Sequence, residues 1–346
     1  MNVVETHEKS PCCFFPTTVV LIDDNSNFLN LIFAKIIKNL PCISFMDSTE
    51  ALNFLNTKGK KDNFSDKWLT YQEDDAINHS NVDINISKIH YEIYNFQRFS
   101  TIAVLVVDYD MPGLNGAELC QALQGSGYRT ILLTGKAGLE TAVELFNTNT
   151  INCYINKNDP HFIDKLLDAI NGFQKEYFLK ISEFIVNSLT VKNKLLGDNQ
   201  FFCLDDPVFI DFFNGLLLKK DIREYYLLDE SGSFLFLNAT GKLSWLIVKN
   251  EEQMAATEYE MGFKSVKISD ELHEKIKNRS VLRHWFNNDD YPDPEKIEEA
   301  ANLFYPATKL VGRSNYYYSY IEKPLMMPDI DTNKIVSYDK YRLENR

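Results

Sequence analysis

Residues Ile102 to Gly113 read IAVLVVDYDMPG: an unbroken apolar run that ends in Asp108 and breaks into a Met-Pro-Gly turn. A strand with one wet face alternates apolar and polar residues, so a run without alternation is buried on both faces, as in a central strand of a parallel sheet. Chemistry in such sheets gathers at the carboxyl ends of the strands, near the point where strand order reverses. Asp108 stands at such an end.

Working outward, Thr18 to Asp23 (TVVLID) is a second run of this kind, and Ser26 after it can cap a helix. In that helix Phe28, Leu29, Ile32, Phe33, Ile36, Ile37 and Leu40 recur at spacings of three and four. Cys42 to Met46 gives another strand, and Ser48 opens a helix through Ala51, Leu52 and Leu55. Downstream come a helix through Leu119 and Leu123, the strand Thr130 to Thr134, a helix through Leu139, Ala142, Val143 and Phe146, and the strand Cys153 to Lys157. Asp159 and Pro160 then sit at the cap and first turn of a helix bearing Phe162, Ile163, Leu166, Leu167 and Ile170. Five strands alternating with five helices predict an α/β domain over residues 17–173, a doubly wound five-stranded parallel sheet with right-handed crossovers. A polar insertion at about 57–100, closing in a helical pattern at Ile86, Ile89, Ile93 and Phe96, reads as a surface excursion, since long insertions cost little closure entropy.

Asp23 and Asp24 end the first strand, Asp108 the third, Thr134 the fourth and Lys157 the fifth. Three carboxylates brought together raise one another's pKa unless a cation sits among them, and an all-oxygen donor set suits Mg²⁺. Asp108 is the candidate nucleophile, because a carboxylate can carry a phosphoryl group as an aspartyl phosphate. Lys157 would pair with that group and the Thr134 hydroxyl would donate to it.

These residues, with Met111-Pro112-Gly113 and Gly116 after Asp108 and Tyr154 three before Lys157, resemble the receiver-domain family of response regulators. The resemblance implies a sensor histidine kinase as phosphoryl donor. It also implies Mg²⁺ held by Asp23 or Asp24, Asp108 and the Asp110 backbone carbonyl, and Tyr154 as a switch aromatic that swings inward when Thr134 moves to the phosphoryl group. Two positions depart from the family: Gly135, where alanine is usual, and Asn158, where proline is usual. Asp110 and Lys136, each two residues beyond a site residue, are expected to flank the approach to the phosphoryl group.

Beyond the last receiver helix, Phe173, Tyr177, Ile181, Phe184, Ile185 and Leu189 continue the apolar stripe of Ile170 toward Gly197, which predicts a linker helix over 174–197. It is expected to pack on its own output domain, with dimerisation on phosphorylation assisted by the receiver. Residues 198–324 carry a hairpin, Tyr225 to Leu228 and Phe234 to Leu237, then Leu243 to Val248 and an aromatic strand, Tyr316 to Ile321, which predict an α+β output domain. No catalytic constellation and no basic helix-turn-helix is evident there, so a non-enzymatic output acting through partner binding is expected. A nucleic-acid or nucleotide-binding output is the alternative; Arg313 beside Gly312 and the adjacent aromatics of Tyr316 to Ile321, which read first as a cross-strand packing surface, are its hints, and a net charge of -13 opposes it. Residues 325–346 read as a tail with little structure of its own. The whole arrangement resembles the quorum-sensing response regulators of the Lqs type, which implies cell-density and virulence control.

No apolar run approaches the ~20 residues of a membrane span, and the first residues lack the basic start and apolar core of a secretory signal, so a cytoplasmic protein is expected. The six cysteines form no CxxC pair and are expected as free thiols.

Overall fold

Strand alternation divides the apolar runs between two cores. The computed structural model describes residues 10–58, 69–74, 79–84, 86–135, 139–195, 203–263, 268–283, 303–324 and 330–344. Among the described residues the first element is strand β1 (Cys13–Phe14), followed by β2 (Thr18–Ile22), helix α1 (Ser26–Ile36), β3 (Cys42–Phe45) and α2 (Ser48–Lys58). Strands β4 (Leu69–Asp74) and β5 (His79–Ile84) and helix α3 (Ser87–His90) come next, then β6 (Ile102–Asp108), α4 (Gly116–Ala122), β7 (Arg129–Thr134), α5 (Leu139–Asn147), β8 (Cys153–Asn156) and α6 (Phe162–Leu195).

Strands β2, β3, β6, β7 and β8 form an all-parallel sheet in the order β3-β2-β6-β7-β8. Val19, Leu21, Val104, Val106, Ile131 and Leu133 pack on one side with α1 and with Phe162, Leu166 and Ile170 of α6. Val20, Ile22, Leu105, Val107 and Leu132 pack on the other with α2, α4 and α5. Each such side chain contributes about 1.5–3 kcal/mol by leaving water. The chain switches direction across the sheet between β2 and β6, so Asp23 and Asp108 face one crevice.

The rest of the chain gives α7 (Pro207–Lys219), β9 (Glu224–Leu227), β10 (Phe234–Leu237), β11 (Leu243–Asn250), α8 (Glu251–Phe263), α9 (Asp270–Lys277), β12 (Val281–Arg283), β13 (Phe304–Pro306), β14 (Thr308–Val311), β15 (Asn315–Ile321) and α10 (Tyr338–Glu344). An antiparallel sheet runs β1-β9-β10-β11-β15-β14, and Phe209, Phe212 and Phe213 of α7 lie against its aromatic face of Tyr225, Phe234, Phe236, Tyr316 and Tyr318. Among the described residues no helix is long and apolar enough to cross a membrane, and all six cysteines are free.

The chain divides into two units whose borders differ from the sequence expectation. The parallel-sheet unit takes Phe15–Lys67, Asn95–Ile181 and Tyr341–Arg346; the antiparallel unit takes Met1–Phe14, Trp68–Tyr94 and Ser182–Lys340. Strand β1, too short to show any period, adds to the edge of β9: Cys13 pairs with Tyr226, the Phe14 ring stacks on Tyr225 at 5.8 Å, and the Leu227 amide donates to the Cys12 carbonyl. The part of the insertion that ends at Tyr94 belongs to the same unit, with Ile89 and Ile93 fully buried. The expected bare tail is instead engaged, since the Val336 amide donates to the Ile93 carbonyl, the Asp331 amide donates to the Tyr94 hydroxyl, and Tyr338 opens α10. Linker and last receiver helix are one element, α6; Gly197 and Lys136 lie outside the described residues.

Trp245 is buried on β11 of the antiparallel sheet, so its fluorescence reports on that unit. A chain beginning at Phe15 is expected to unfold by this signal with at least ~2 kcal/mol less stability, because the β9 edge and its aromatic contacts lose their cover. Denaturant titration followed at tryptophan emission checks it.

Candidate functional site

The crevice residues are delivered by backbone that cannot easily move. Asp23 follows β2 with its amide donating to the Phe45 carbonyl, and its Oδ1 accepts from the Asn25 amide at 2.9 Å. Asn25 in turn caps α1, accepting from the amides of Asn27 and Phe28. Asp108 ends β6, and the turn after it closes through Gly113 in the left-handed region at φ 78° and a capping box between Asn115 and Glu118 on α4. Lys157 is tied down by its amide donating to the Thr134 carbonyl at 2.8 Å, which joins the ends of β7 and β8.

Lys157 Nζ lies 2.6 Å from Asp23 Oδ2 and 2.7 Å from Asp108 Oδ1, and the Phe28 ring centroid is 4.4 Å away. Carboxylate oxygens of Asp23, Asp24 and Asp108 all lie within 4.8 Å of one another, with Asp24 exposed and the other two buried. Three carboxylates against one ammonium leave the crevice anionic. Burial pushes the Asp108 carboxyl above its ordinary range; the Lys157 ammonium pulls it back and the Asp23 charge adds to the push. The oxygen-only donor set fits a hard divalent cation such as Mg²⁺.

Thr134 is fully buried, and its Oγ1 has no hydrogen-bond partner. Leaving a buried hydroxyl unpaired costs about 1–3 kcal/mol, so this donor stands ready for an acceptor that arrives later. Tyr154 on β8 is 36% exposed, its ring edge-on to Phe146 at 6.3 Å, which is an outward position. The Asp110 side chain is exposed and stands outside the trio of Asp23, Asp24 and Asp108. Gly135 is not crowded: a Cβ there would meet only Asp110 Oδ2 at 3.9 Å, an ordinary contact. Among the described residues no peptide bond is cis, that before Asn158 included. Phe28 is the contact the sequence reading missed; it counted as one more apolar position of α1, although it lies one turn past Asp24 on the helix that starts at the crevice.

The hint of a phosphate site at Gly312-Arg313 resolves differently. The Arg313 amide donates to Asp206 Oδ2 at 2.6 Å, the Tyr316 hydroxyl donates to the same oxygen at 3.0 Å, and the guanidinium donates to the Asp205 carbonyl. The anion held by this loop is therefore the buried carboxylate that caps α7.

No protein-family model matches the chain, and no curated protein matches it. Among solved structures, the Legionella pneumophila response regulator LqsR is 30% identical over 96% of this chain and 95% of that one, with a TM-score of 0.73. A protein of Rhodopirellula baltica described as an adenylate cyclase is 22% identical over 50% of this chain and 98% of that one, with a TM-score of 0.34. A response-regulator receiver domain protein of Clostridium thermocellum is 19% identical over 47% of this chain and 98% of that one, with a TM-score of 0.33.

Gly116 carries a prediction of its own. Its amide donates to the Tyr109 carbonyl, and a Cβ there would overlap the Asp108 carbonyl oxygen and lie 2.8 Å from the carbonyl carbon. Since that neighbour is backbone of the acceptor strand, Gly116→Ala is expected to destabilise the parallel-sheet unit by about 2–4 kcal/mol. Thermal melting followed by far-UV circular dichroism checks this.

Proposed function

Because the chain belongs to the family of two-component response regulators represented by LqsR, we propose that it is switched by phosphorylation of Asp108 from a sensor histidine kinase. The observation that carries this is the partnerless Thr134 hydroxyl at the strand end beside the Asp108–Lys157–Asp23 cluster. Asp23, Asp24, Asp108 and the Asp110 carbonyl would hold Mg²⁺, which when bound supplies charge neutralisation for the phosphoryl oxygens.

An Asp108 carboxylate oxygen forms the new bond to phosphorus as the donor's bond to phosphorus breaks and its electron pair leaves with the donor nitrogen. Lys157 shifts its ammonium from the carboxylate pair toward a phosphoryl oxygen, and Thr134 Oγ1 donates to another. Movement of Thr134 vacates space beside β8 into which Tyr154 turns from its outward position, a change worth a few kcal/mol in either direction. The antiparallel unit is read as a non-enzymatic output that works through partner binding and self-association. Kinship with the Lqs type points to quorum sensing and virulence control, and the lack of a membrane-spanning helix among the described residues accords with action in the cytoplasm.

Three outcomes are expected. Asp108→Asn abolishes acid-labile label from a phosphodonor in the presence of Mg²⁺, and full labelling of that variant would sink the assignment. Lys157→Ala keeps its fold but loses most of the response to phosphorylation; a folded variant that responds as the parent does would refute the role. Finally, light scattering with and without a phosphoryl mimic shows a partial shift from monomer toward dimer, because full reversal of such an equilibrium requires about 5.5 kcal/mol. An unchanged mass across a wide concentration range would count against it.

A further inference from the structure

The Lys157 ammonium has a third neighbour besides its two carboxylates. An ammonium carries three donors; Asp23 Oδ2 and Asp108 Oδ1 take two, and the electron-rich face of Phe28, 4.4 Å away, covers a further side. The ring is itself held. Its centroid lies 5.7 Å from that of Phe162, the first residue of α6, and both rings pack on the core layer that contains Leu29 and Leu166. Phe28 is half-buried, so this face of the ammonium is turned away from bulk water.

Such an arrangement matters because a lysine side chain is a point charge on a flexible stem, and fixing it costs rotamer entropy. While Asp23 and Asp108 are both ionised, two short ion pairs fix it. Once an Asp108 oxygen is bonded to phosphorus, that oxygen no longer carries the charge that held the ammonium. The contact to Phe28 does not depend on the state of Asp108. Resting on the reading of Asp108 as phospho-acceptor, we propose that Phe28 is a positioning residue for phosphoryl transfer: its ring face keeps the Lys157 ammonium aimed at the crevice while the charge on Asp108 passes to the phosphoryl oxygens. An aliphatic side chain of similar volume fills the same space without a quadrupole, so shape and ring face are separable.

The test uses the full chain with phosphoramidate as donor and Mg²⁺ present, and follows the labelling rate by intact mass. Phe28→Leu and Phe28→Met are two aliphatic replacements, and either one, if folded by its melting curve, carries the test. Each is expected to label about five-fold more slowly than the parent, while Phe28→Tyr, which retains the ring face, labels within about two-fold of it. A folded Leu or Met variant that labels at the parent rate overturns the inference, as does a Tyr variant as slow as the aliphatic ones. A parent chain that takes no label overturns the phosphorylation reading and the inference with it, and so is distinguishable from a labelled parent with an equally labelled Leu variant.

Discussion

One ammonium group between two carboxylates governs the crevice. Lys157 joins the end of β8 to the ends of β2 and β6, strands whose aspartates repel in its absence. Ion pairs this dry return little net stability, because removing three charges from water costs about as much as their attraction gives back. The parallel sheet must therefore hold the cluster, and it does so with two apolar layers, one on each side of β2, β6 and β7. Stability and chemistry are separated along β2 and β6, where aliphatic side chains fill most of the strand and an aspartate, Asp23 or Asp108, stands at its carboxyl end.

That separation is also why the first unit was legible. Buried parallel strands such as Ile102–Asp108 announce themselves as runs without alternation, and the polar residue that breaks each run lies at the crevice. The geometry brings Asp23, Asp24, Asp108 and Lys157 together as the strand ends imply, whereas the Asp110 side chain points into solvent. Phe28 was not legible as a site residue, because a ring at a helical core spacing looks the same whether its face meets an aliphatic side chain or an ammonium. The borders of the second unit were hidden for another reason. A two-residue strand such as Cys13–Phe14 has no period, and its identity comes wholly from a partner, β9, that lies far along the chain.

Gly312-Arg313 shows how a local motif can be answered from inside the protein. A glycine that admits no Cβ and the amide beside it can wrap an anion, and the Asp206 carboxylate fills that role, overlapping any side chain placed at 312. The same carboxylate accepts from the Val208 amide and the Tyr316 hydroxyl, so one buried charge closes the start of α7 against the loop before β15. Three donors around a single acid resemble a ligand site in composition only.

The place of β1 in the second sheet sets an order of events during synthesis. Cys13 and Phe14 leave the ribosome before the whole parallel sheet, and the strand they must join is made only after α6 and α7. The parallel-sheet unit can therefore fold while an apolar Cys-Cys-Phe-Phe leader stays unpaired, a segment of the kind that nascent-chain chaperones bind. Completion of the antiparallel sheet then pairs Cys13 and Phe14 with β9. A chain that stops before β9 lacks the strand with which Cys13 and Phe14 pair.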